Sequence, residues 1–181
     1  MGQSGGKWGI LCNFEGRITL KEVHVRFLGN IEAKIDAKGR AFLPAQFRKA
    51  LMSSGESDLV LRQDIFENTL VIYPEVVWNE LMDEMRNQLS RWDRRQQMVY
   101  RTFVSGVINI SMDANGRILI PKDFLKSAGI SSSLRFVGMG DTIEIWANDP
   151  DSVKPFMEKS EFGSALEEFM AKPVPTQQNE G

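Results

Sequence analysis

The sequence predicts an α+β, strand-rich protein made of two pseudo-symmetric repeats with a helical insert between them. Three observations support this: a thirteen-residue pattern that occurs twice, turn dipeptides at the same place in both copies, and a helical hydrophobic pattern in the segment between them. The chain has 181 residues, 42% hydrophobic and 25% charged, which is the composition of a soluble globular protein. No apolar run approaches the roughly 20 residues that a membrane helix needs, so we expect no contact with a membrane.

The repeated pattern occupies residues 35–47, Ile-Asp-Ala-Lys-Gly-Arg-Ala-Phe-Leu-Pro-Ala-Gln-Phe, and residues 112–124, Met-Asp-Ala-Asn-Gly-Arg-Ile-Leu-Ile-Pro-Lys-Asp-Phe. Six of the thirteen positions are identical, with a constant offset of 77 residues and no gap. The identical pairs are Asp36 and Asp113, Ala37 and Ala114, Gly39 and Gly116, Arg40 and Arg117, Pro44 and Pro121, and Phe47 and Phe124. So many matches in register indicate an internal duplication.

Each repeat begins with a predicted strand and a tight turn. Residues 30–36 alternate polar and apolar, which is the period of a strand. Lys38-Gly39 and Asn115-Gly116 are turn dipeptides, because glycine and asparagine tolerate a positive φ. A strand, a turn and a second strand are therefore expected around each motif.

A short helix and a strand pair complete each repeat. Pro44 and Pro121 are expected at the first helical position, where a missing N–H costs nothing, and Gly55 and Gly129 where the short helices stop. The predicted strand segments are 59–62 and 70–73 in the first repeat and 134–137 and 143–146 in the second. Residues 138–141, Gly-Met-Gly-Asp, are interpreted as the hairpin turn between the last two strands.

The segment between the repeats predicts two helices. One apolar face combines residues at helical spacing: Trp78, Leu81, Met82, Met85, Leu89 and Trp92. A second short helix is expected over residues 93–104. Four arginines lie in or just before it: Arg91, Arg94, Arg95 and Arg101. They can touch DNA, but a solvated helix face or an intersubunit contact is favoured.

The predicted boundaries follow from these patterns: an N-terminal extension at 1–25, the first repeat at 26–74, a helical connector at 75–106, the second repeat at 107–150, a C-terminal helical segment at 151–170, and a disordered tail at 171–181. Each repeat is too small to bury much surface alone. We therefore expect the two copies to pack around a pseudo-two-fold axis, with their turns in related positions.

The turns supply candidate DNA-binding and loop-orienting residues. Arginine binds phosphate, or guanine through two hydrogen bonds, so Arg40 and Arg117 are the primary candidates. Lys38 adds charge, and Asn115 can bond a base edge or stabilise the turn.

Four further residues shape the turns. Asp36 and Asp113 can accept turn N–H groups and orient the arginines. Gly39 and Gly116 allow a positive φ and a close approach of the backbone. The competing interpretation is an ordinary hairpin carrying a surface ion pair, which is worth at most about 1 kcal/mol. A turn needs the glycine, but nothing about a turn needs the arginine twice.

The paired motifs resemble those of the MraZ family, relatives of the AbrB and SpoVT regulators. Arg94-Arg95 and the run Arg101-Thr-Phe-Val-Ser-Gly106 into the second motif also resemble the family pattern, and the resemblance covers about residues 26–160. It implies AbrB-like swapped-hairpin barrel repeats and a ring-shaped homo-oligomer. It also implies a cytoplasmic, nucleoid-associated, sequence-specific transcriptional regulator that binds short direct repeats in double-stranded DNA upstream of the division and cell-wall gene cluster.

Other kinds of function are less well supported. The chain has one cysteine, Cys12, and one histidine, His24, too few for an intrachain disulfide or a Cys/His zinc site. We expect no catalytic residue, metal or cofactor; hydrolysis through the turn aspartates is disfavoured. The net charge of −2 argues mildly against nucleic acid, but the acids concentrate after residue 140 and local charge matters more. The alternative is an oligomeric scaffold whose loops bind a protein partner.

Overall fold

The computed structural model describes residues 26–56, 58–148 and 156–171, together with two short backbone strands in the N-terminal segment. Those strands are β1 (Ile10–Cys12) and β2 (Ile18–Leu20), which pair antiparallel. The remainder of the predicted N-terminal extension, including His24, lies outside the described residues. The predicted disordered tail lies outside them from residue 172 onward.

Both repeats follow the predicted order of elements. The first repeat contains β3 (Phe27–Lys34), β4 (Arg40–Phe42), α1 (Ala45–Ser54), β5 (Asp58–Gln63) and β6 (Leu70–Pro74). Two helices follow, α2 (Glu75–Gln88) and α3 (Arg94–Ser105). The second repeat contains β7 (Val107–Ser111), β8 (Arg117–Leu119), α4 (Lys122–Ser127), β9 (Ser133–Gly140) and β10 (Ile143–Ala147).

Residues 1–149 and 150–181 form two separate compact units. The second unit contains the helix α5 (Lys159–Ala171), which overlaps the predicted C-terminal helical segment and extends one residue into the predicted tail. No helix in the described ranges is long and apolar enough to cross a membrane.

The two repeats exchange their first strands. The main sheet is antiparallel and has six strands in the order β3-β9-β10-β6-β5-β7. Thus β3 of the first repeat pairs with β9 of the second, and β7 of the second pairs with β5 of the first. The hairpins meet in the middle, where β6 pairs with β10. The fold is therefore α+β, with two intertwined repeats, while the closed swapped-hairpin barrel stays a prediction.

A second, two-stranded sheet joins the repeats at the duplicated motif. Strands β4 and β8 pair antiparallel, with Ala41 opposite Ile118. Both of these side chains are buried, as are Leu43 and Ile120 just beyond them. One hydrophobic core therefore takes equivalent residues from both repeats, which neither small repeat could cover alone.

The short helices begin one residue later than predicted. Pro44 and Pro121 are the N-cap residues that precede the first helical residue. They are not helical themselves, because their ψ angles of 139° and 148° are extended. Gly55 ends α1 in the left-handed conformation, with a φ of 79°, and Gly129 follows the end of α4 at 65°. Both glycines therefore have the predicted role.

The helical insert is held to the sheet by a stack of three side chains. The Phe103 ring of α3 stacks on buried Trp78 of α2, with centroids 5.4 Å apart and planes 1° from parallel. The Arg62 guanidinium of β5 lies 3.9 Å from the centroid of the Phe103 ring. This stack fixes α3 through aromatic and cation–π contacts.

Two predictions about individual segments were wrong. Trp92 does not belong to the apolar face of α2, because that helix ends at Gln88 and Trp92 is 97% exposed in the following turn. Gly138 is not a turn residue, because it pairs with Ile143 inside the β9–β10 hairpin. The two-residue turn is Gly140-Asp141, closed by a hydrogen bond from the main-chain N–H of Met139 to the carbonyl oxygen of Thr142 at 2.9 Å. A Cβ at Gly138 would lie 2.4 Å from the carbonyl carbon of Phe27, so glycine is needed there for close strand packing.

Candidate nucleic-acid interface

The first turn is organised by the carboxylate of Asp36. Its Oδ1 accepts hydrogen bonds from the main-chain N–H groups of Lys38 and Arg40, both at 2.9 Å. Its Oδ2 accepts one from Nε of Arg40 at 2.8 Å, and Nη2 of Arg40 lies 2.7 Å from the same oxygen. Asp36 therefore fixes both the turn and the arginine side chain.

The second turn repeats this geometry. The Oδ1 of Asp113 accepts from the main-chain N–H groups of Asn115 and Arg117 at 2.9 Å, and its Oδ2 accepts from Nε of Arg117 at 2.8 Å. Asn115 contributes to the turn through its main-chain N–H, as Lys38 does in the first turn, and the predicted role of its side chain stays a prediction. Two independent segments with one geometry show that the Asp-x-x-x-Arg pattern is a structural unit.

Gly39 and Gly116 are required for different contacts. Both have a positive φ, of 85° and 82°. A Cβ at Gly39 would lie 2.5 Å from the carbonyl oxygen of Ile120, and a Cβ at Gly116 would lie 2.7 Å from Cδ of Arg48. Any side chain would therefore push against the main chain in the first turn and against Arg48 in the second.

The paired strands turn both arginines to one surface. Arg40 lies opposite Leu119, and Phe42 lies opposite Arg117. Because opposite residues and every second residue share a face, these four side chains are neighbours. The other face carries the buried Ala41 and Ile118. We call the surface formed by Arg40, Phe42, Arg117 and Leu119 the ribbon face.

The charges around the ribbon face are predominantly positive. Two carboxylates, those of Asp36 and Asp113, are outnumbered there by four positively charged side chains: Lys38, Arg40, Arg48 and Arg117. Hydrogen bonding from the main-chain N–H of Arg40 is the largest cause that holds the pKa of Asp36 below its ordinary value. The N–H of Arg117 likewise lowers the pKa of Asp113. Both carboxylates are thus ionised at neutral pH, and the local charge stays positive although the whole chain is acidic.

Each arginine retains donors beyond its aspartate contact. A guanidinium has five N–H donors in a planar fork. The contact with Asp113 runs through Nε of Arg117, which leaves the Nη end of the fork for a ligand. Arg40 and Arg117 are partly exposed, at 34% and 26% of their side-chain surface. This arrangement suits two parallel hydrogen bonds to a phosphate or a guanine edge.

Arg48 was missed by sequence reasoning. Its Nη1 donates to the carbonyl oxygen of Leu43 at 3.1 Å, and its guanidinium lies against Gly116 of the second turn. The equivalent residue of the second repeat is Leu125, which lies near Gly39. A charged residue in one repeat where the other has leucine is the sequence signal that could have found it.

The predicted site residues fall into two groups. The structure brings Arg40 and Arg117 together on one surface, and Lys38 and Asn115 are exposed in the adjoining turns. The arginines of the insert (Arg91, Arg94, Arg95 and Arg101) lie in and just before α3 with exposed side chains. Within the described ranges, no three His, Cys, Asp or Glu side chains form a group that could hold a metal ion.

The fold and the site define a class of protein: intertwined two-repeat α+β proteins that present two aspartate-anchored arginines on one β-ribbon. Residues 26–102 and 103–161 each match the family described as "MraZ protein, putative antitoxin-like". The chain belongs to the MraZ family, as the sequence motifs predicted.

Curated relatives carry a consistent name. A protein of Bacteroides fragilis is 54% identical over 156 residues, which is 86% of this chain and 98% of the relative, and is named transcriptional regulator MraZ. Two further relatives have the same name. The protein of Phocaeicola vulgatus is 54% identical over 81% of this chain and 94% of the relative. The protein of Bacteroides thetaiotaomicron is 49% identical over 81% of this chain and 93% of the relative. This name denotes regulation of transcription, which is not an enzyme class.

Proposed function

We propose that this chain is a transcriptional regulator that binds double-stranded DNA in a sequence-specific manner through its ribbon face. The observation that carries the proposal is that Arg40 and Arg117 lie on the same exposed surface, where each side chain is held by the aspartate of its own turn. An arginine fixed before binding loses less side-chain entropy when it contacts a base. The names of the relatives support the same kind of function.

The two-stranded form of the ribbon face suits the major groove. A two-stranded β-ribbon fits that groove, where each base pair presents a distinct pattern of donors and acceptors. Arg40 and Arg117 would read guanine through O6 and N7. Lys38 and Asn115, in the turns beside the ribbon, would contact phosphates or base edges and set the position of the protein on the duplex.

Assembly would provide the affinity that one acidic chain lacks. A single protomer with a few basic contacts binds weakly and is sensitive to salt. In a ring-shaped homo-oligomer, several ribbon faces would engage direct repeats, and each bound face would raise the effective concentration of the next. By family resemblance, these repeats would lie upstream of the division and cell-wall gene cluster, with the protein cytoplasmic and associated with the nucleoid.

The proposed domain boundaries group the chain by its role in this function. Residues 26–74 and 107–150 would each supply half of the ribbon face, and residues 75–106 would connect them. Residues 1–25, 151–170 and 171–181 would flank this DNA-binding unit as an extension, a helical segment and a tail.

The proposal is tested by fluorescence anisotropy with a labelled duplex from directly upstream of the protein's own gene. Wild type should prefer it to a scrambled duplex, and Arg40→Ala and Arg117→Ala should each weaken binding at least about fivefold, as expected for loss of a base contact worth about 1–3 kcal/mol. Arg94→Ala, an exposed arginine of α3, is the matched control. Wild type that binds neither duplex at low salt contradicts the proposal.

A protein-binding scaffold is the second candidate function, and one observation favours it: Phe42 and Leu119, which form one diagonal of the ribbon face, are apolar and exposed. The two functions differ in their dependence on salt. DNA affinity should fall by orders of magnitude from low to moderate salt, whereas an apolar protein contact should change little.

A further inference from the structure

The ribbon face contains two apolar side chains, Phe42 and Leu119, to which the proposed DNA contacts assign no role. Phe42 is 55% exposed and Leu119 is 54% exposed. They occupy equivalent positions in the two repeats, 77 residues apart. The strand residues between them and the arginines, Ala41 and Ile118, are buried at 1% and 0%. The exposure therefore belongs to one face and is repeated by both halves of the protein.

The apolar and charged side chains alternate across the ribbon. Each arginine faces an apolar residue on the opposite strand, so that Phe42 and Leu119 lie on one diagonal and the two arginines on the other. The guanidinium carbon of Arg117 lies 5.9 Å from the centroid of the Phe42 ring. A ligand that reaches either arginine must therefore also meet an apolar side chain.

We propose that Phe42 and Leu119 contact the C5-methyl groups of thymines and so determine part of the sequence specificity of this protein. This inference rests on the proposed DNA-binding function. In the major groove the thymine methyl is the apolar group that a base pair presents, and side chains such as phenylalanine recognise it by contact. The flanking positive charge is what selects DNA over an uncharged partner.

The spacing of the strand gives the inference a defined geometry. Residues two apart on a strand, such as Arg40 and Phe42, are separated by about 6.8 Å. Successive bases of one DNA strand are about 3.4 Å apart along the helix axis. A thymine read by the apolar pair should thus lie within about two base-pair steps of a guanine read by an arginine.

Deoxyuridine provides a test because it differs from thymidine only by the C5-methyl group. Anisotropy titrations would compare the upstream duplex with a duplex in which every thymidine of the binding site is replaced by deoxyuridine. For each thymine methyl group that the protein touches, wild type should bind the deoxyuridine duplex about fourfold more weakly, as expected for about 0.8 kcal/mol per buried methyl-sized group. Single replacements would then locate the contacted thymines.

The variants Phe42→Ala and Leu119→Ala identify the residues responsible. Each should weaken binding to the thymidine duplex and reduce its preference over the deoxyuridine duplex; the double variant should show no preference. Phe66→Ala is the matched control, because Phe66 is 89% exposed at the tip of the β5–β6 hairpin, outside the ribbon face. Since all three side chains are exposed, thermal unfolding should be unchanged.

The possible results separate this inference from the function on which it rests. If wild type binds the upstream duplex but does not distinguish thymidine from deoxyuridine, the inference fails and DNA binding stands. The inference also fails if the double variant keeps the wild-type preference, or if native mass spectrometry shows that the variant changes the assembly, because the pair would then belong to a protein contact. If wild type binds no duplex, both fail together.

Discussion

The main-chain N–H of Leu43 donates a hydrogen bond to the carbonyl oxygen of Gly116 at 3.0 Å, which ties the first repeat to the turn of the second. The reciprocal bond runs from the N–H of Ile120 to the carbonyl oxygen of Gly39 at 2.8 Å. Each turn is therefore held by the strand that follows the other turn. The separation of Arg40 and Arg117 is thus set by main-chain hydrogen bonds instead of by flexible side chains.

The close approach at Gly39 predicts a specific loss of stability. Gly39→Ala places a Cβ at a φ of 85° and 2.5 Å from the carbonyl oxygen of Ile120. Gly55→Ala is the matched control, since it has a φ of 79° but no atom within 4 Å of the added Cβ. Urea unfolding should show a loss of about 1–2 kcal/mol for the control, from backbone strain alone.

Gly39→Ala should lower the free energy of unfolding by at least about 1 kcal/mol more than Gly55→Ala does. The atom that its Cβ meets is the carbonyl oxygen of Ile120, and this main chain cannot move away without breaking the hydrogen bond from the Ile120 N–H to Gly39. Equal losses for the two variants would show that the strand after the second turn does not press on the first turn.

The hydrogen bonds to Asp36 and Asp113 predict a direction of titration. Both have a pKa lowered from the ordinary value of 3.8, chiefly by main-chain N–H groups. A lowered folded-state pKa stabilises the fold at pH values above the unfolded pKa, and this stabilisation is lost as the pH falls through the folded pKa. These groups should therefore contribute no pH dependence of stability between about pH 5 and 8.

Carbon-detected NMR of the two carboxyl groups measures this directly. Both midpoints should lie below 3.8, and a peptide of residues 33–43 should supply the unperturbed reference for Asp36. A midpoint at or above the peptide's value would mean that the turn does not hold the carboxylate in solution as the geometry requires.

The two oxygens of Asp36 have separable roles, which Asp36→Asn distinguishes. An asparagine keeps Oδ1 as an acceptor for the turn, but its NH₂ group faces Nε of Arg40, where two donors cannot bond. The turn should survive while Arg40 loses its orientation. We expect DNA affinity to fall about tenfold, the lower part of the range for a base contact, with little change in thermal unfolding.

Asp64→Asn is the control for this substitution. The Oδ1 of Asp64 accepts from the main-chain N–H groups of Phe66 and Glu67 at 2.8 Å in another turn, outside the ribbon face. Its DNA affinity should equal that of wild type. If Asp36→Asn also binds DNA with wild-type affinity, binding does not require Asp36 to orient Arg40.

The fork of the guanidinium, and not its charge alone, should matter at Arg117. Arg117→Lys keeps the charge but cannot make two parallel hydrogen bonds to guanine. Anisotropy should show at least about fivefold weaker binding to the upstream duplex, from loss of at least about 1 kcal/mol of base discrimination. Binding to a scrambled duplex, which depends on phosphate contacts, should be little changed. Arg101→Lys on α3 should change neither, and an equal loss on both duplexes for Arg117→Lys would assign Arg117 to phosphate.

The order of elements, the turns and the ends of the short helices could be predicted from the sequence, because each depends on residues that are close together in the chain. The duplicated motif gave the order of elements, and Gly55 and Gly129 marked the ends of the short helices. The two turns were predictable because Asp and Gly at fixed offsets have few other ways to satisfy the backbone.

Long-range pairing could not be predicted in the same way. Periodicity predicts a strand over residues 30–36 but not that the observed strand, β3, pairs with β9 of the other repeat. For the same reason, Gly138 was interpreted as a turn residue, since its close approach to Phe27 exists only after the repeats have exchanged strands. Arg48 was missed because its position beside Gly116 depends on that same intertwining.

The most direct test of the ribbon face as the DNA-binding surface is methyl NMR of the assembled protein, titrated with the upstream duplex. The resonances of Ala37, Ala114 and Leu119 should shift on binding, because these exposed methyl groups lie in the two turns and on the ribbon face. The resonances of Val99, exposed on α3, should remain in place. Shifts at Val99 with none at Ala37, Ala114 and Leu119 would contradict the account and assign DNA binding to the helical insert.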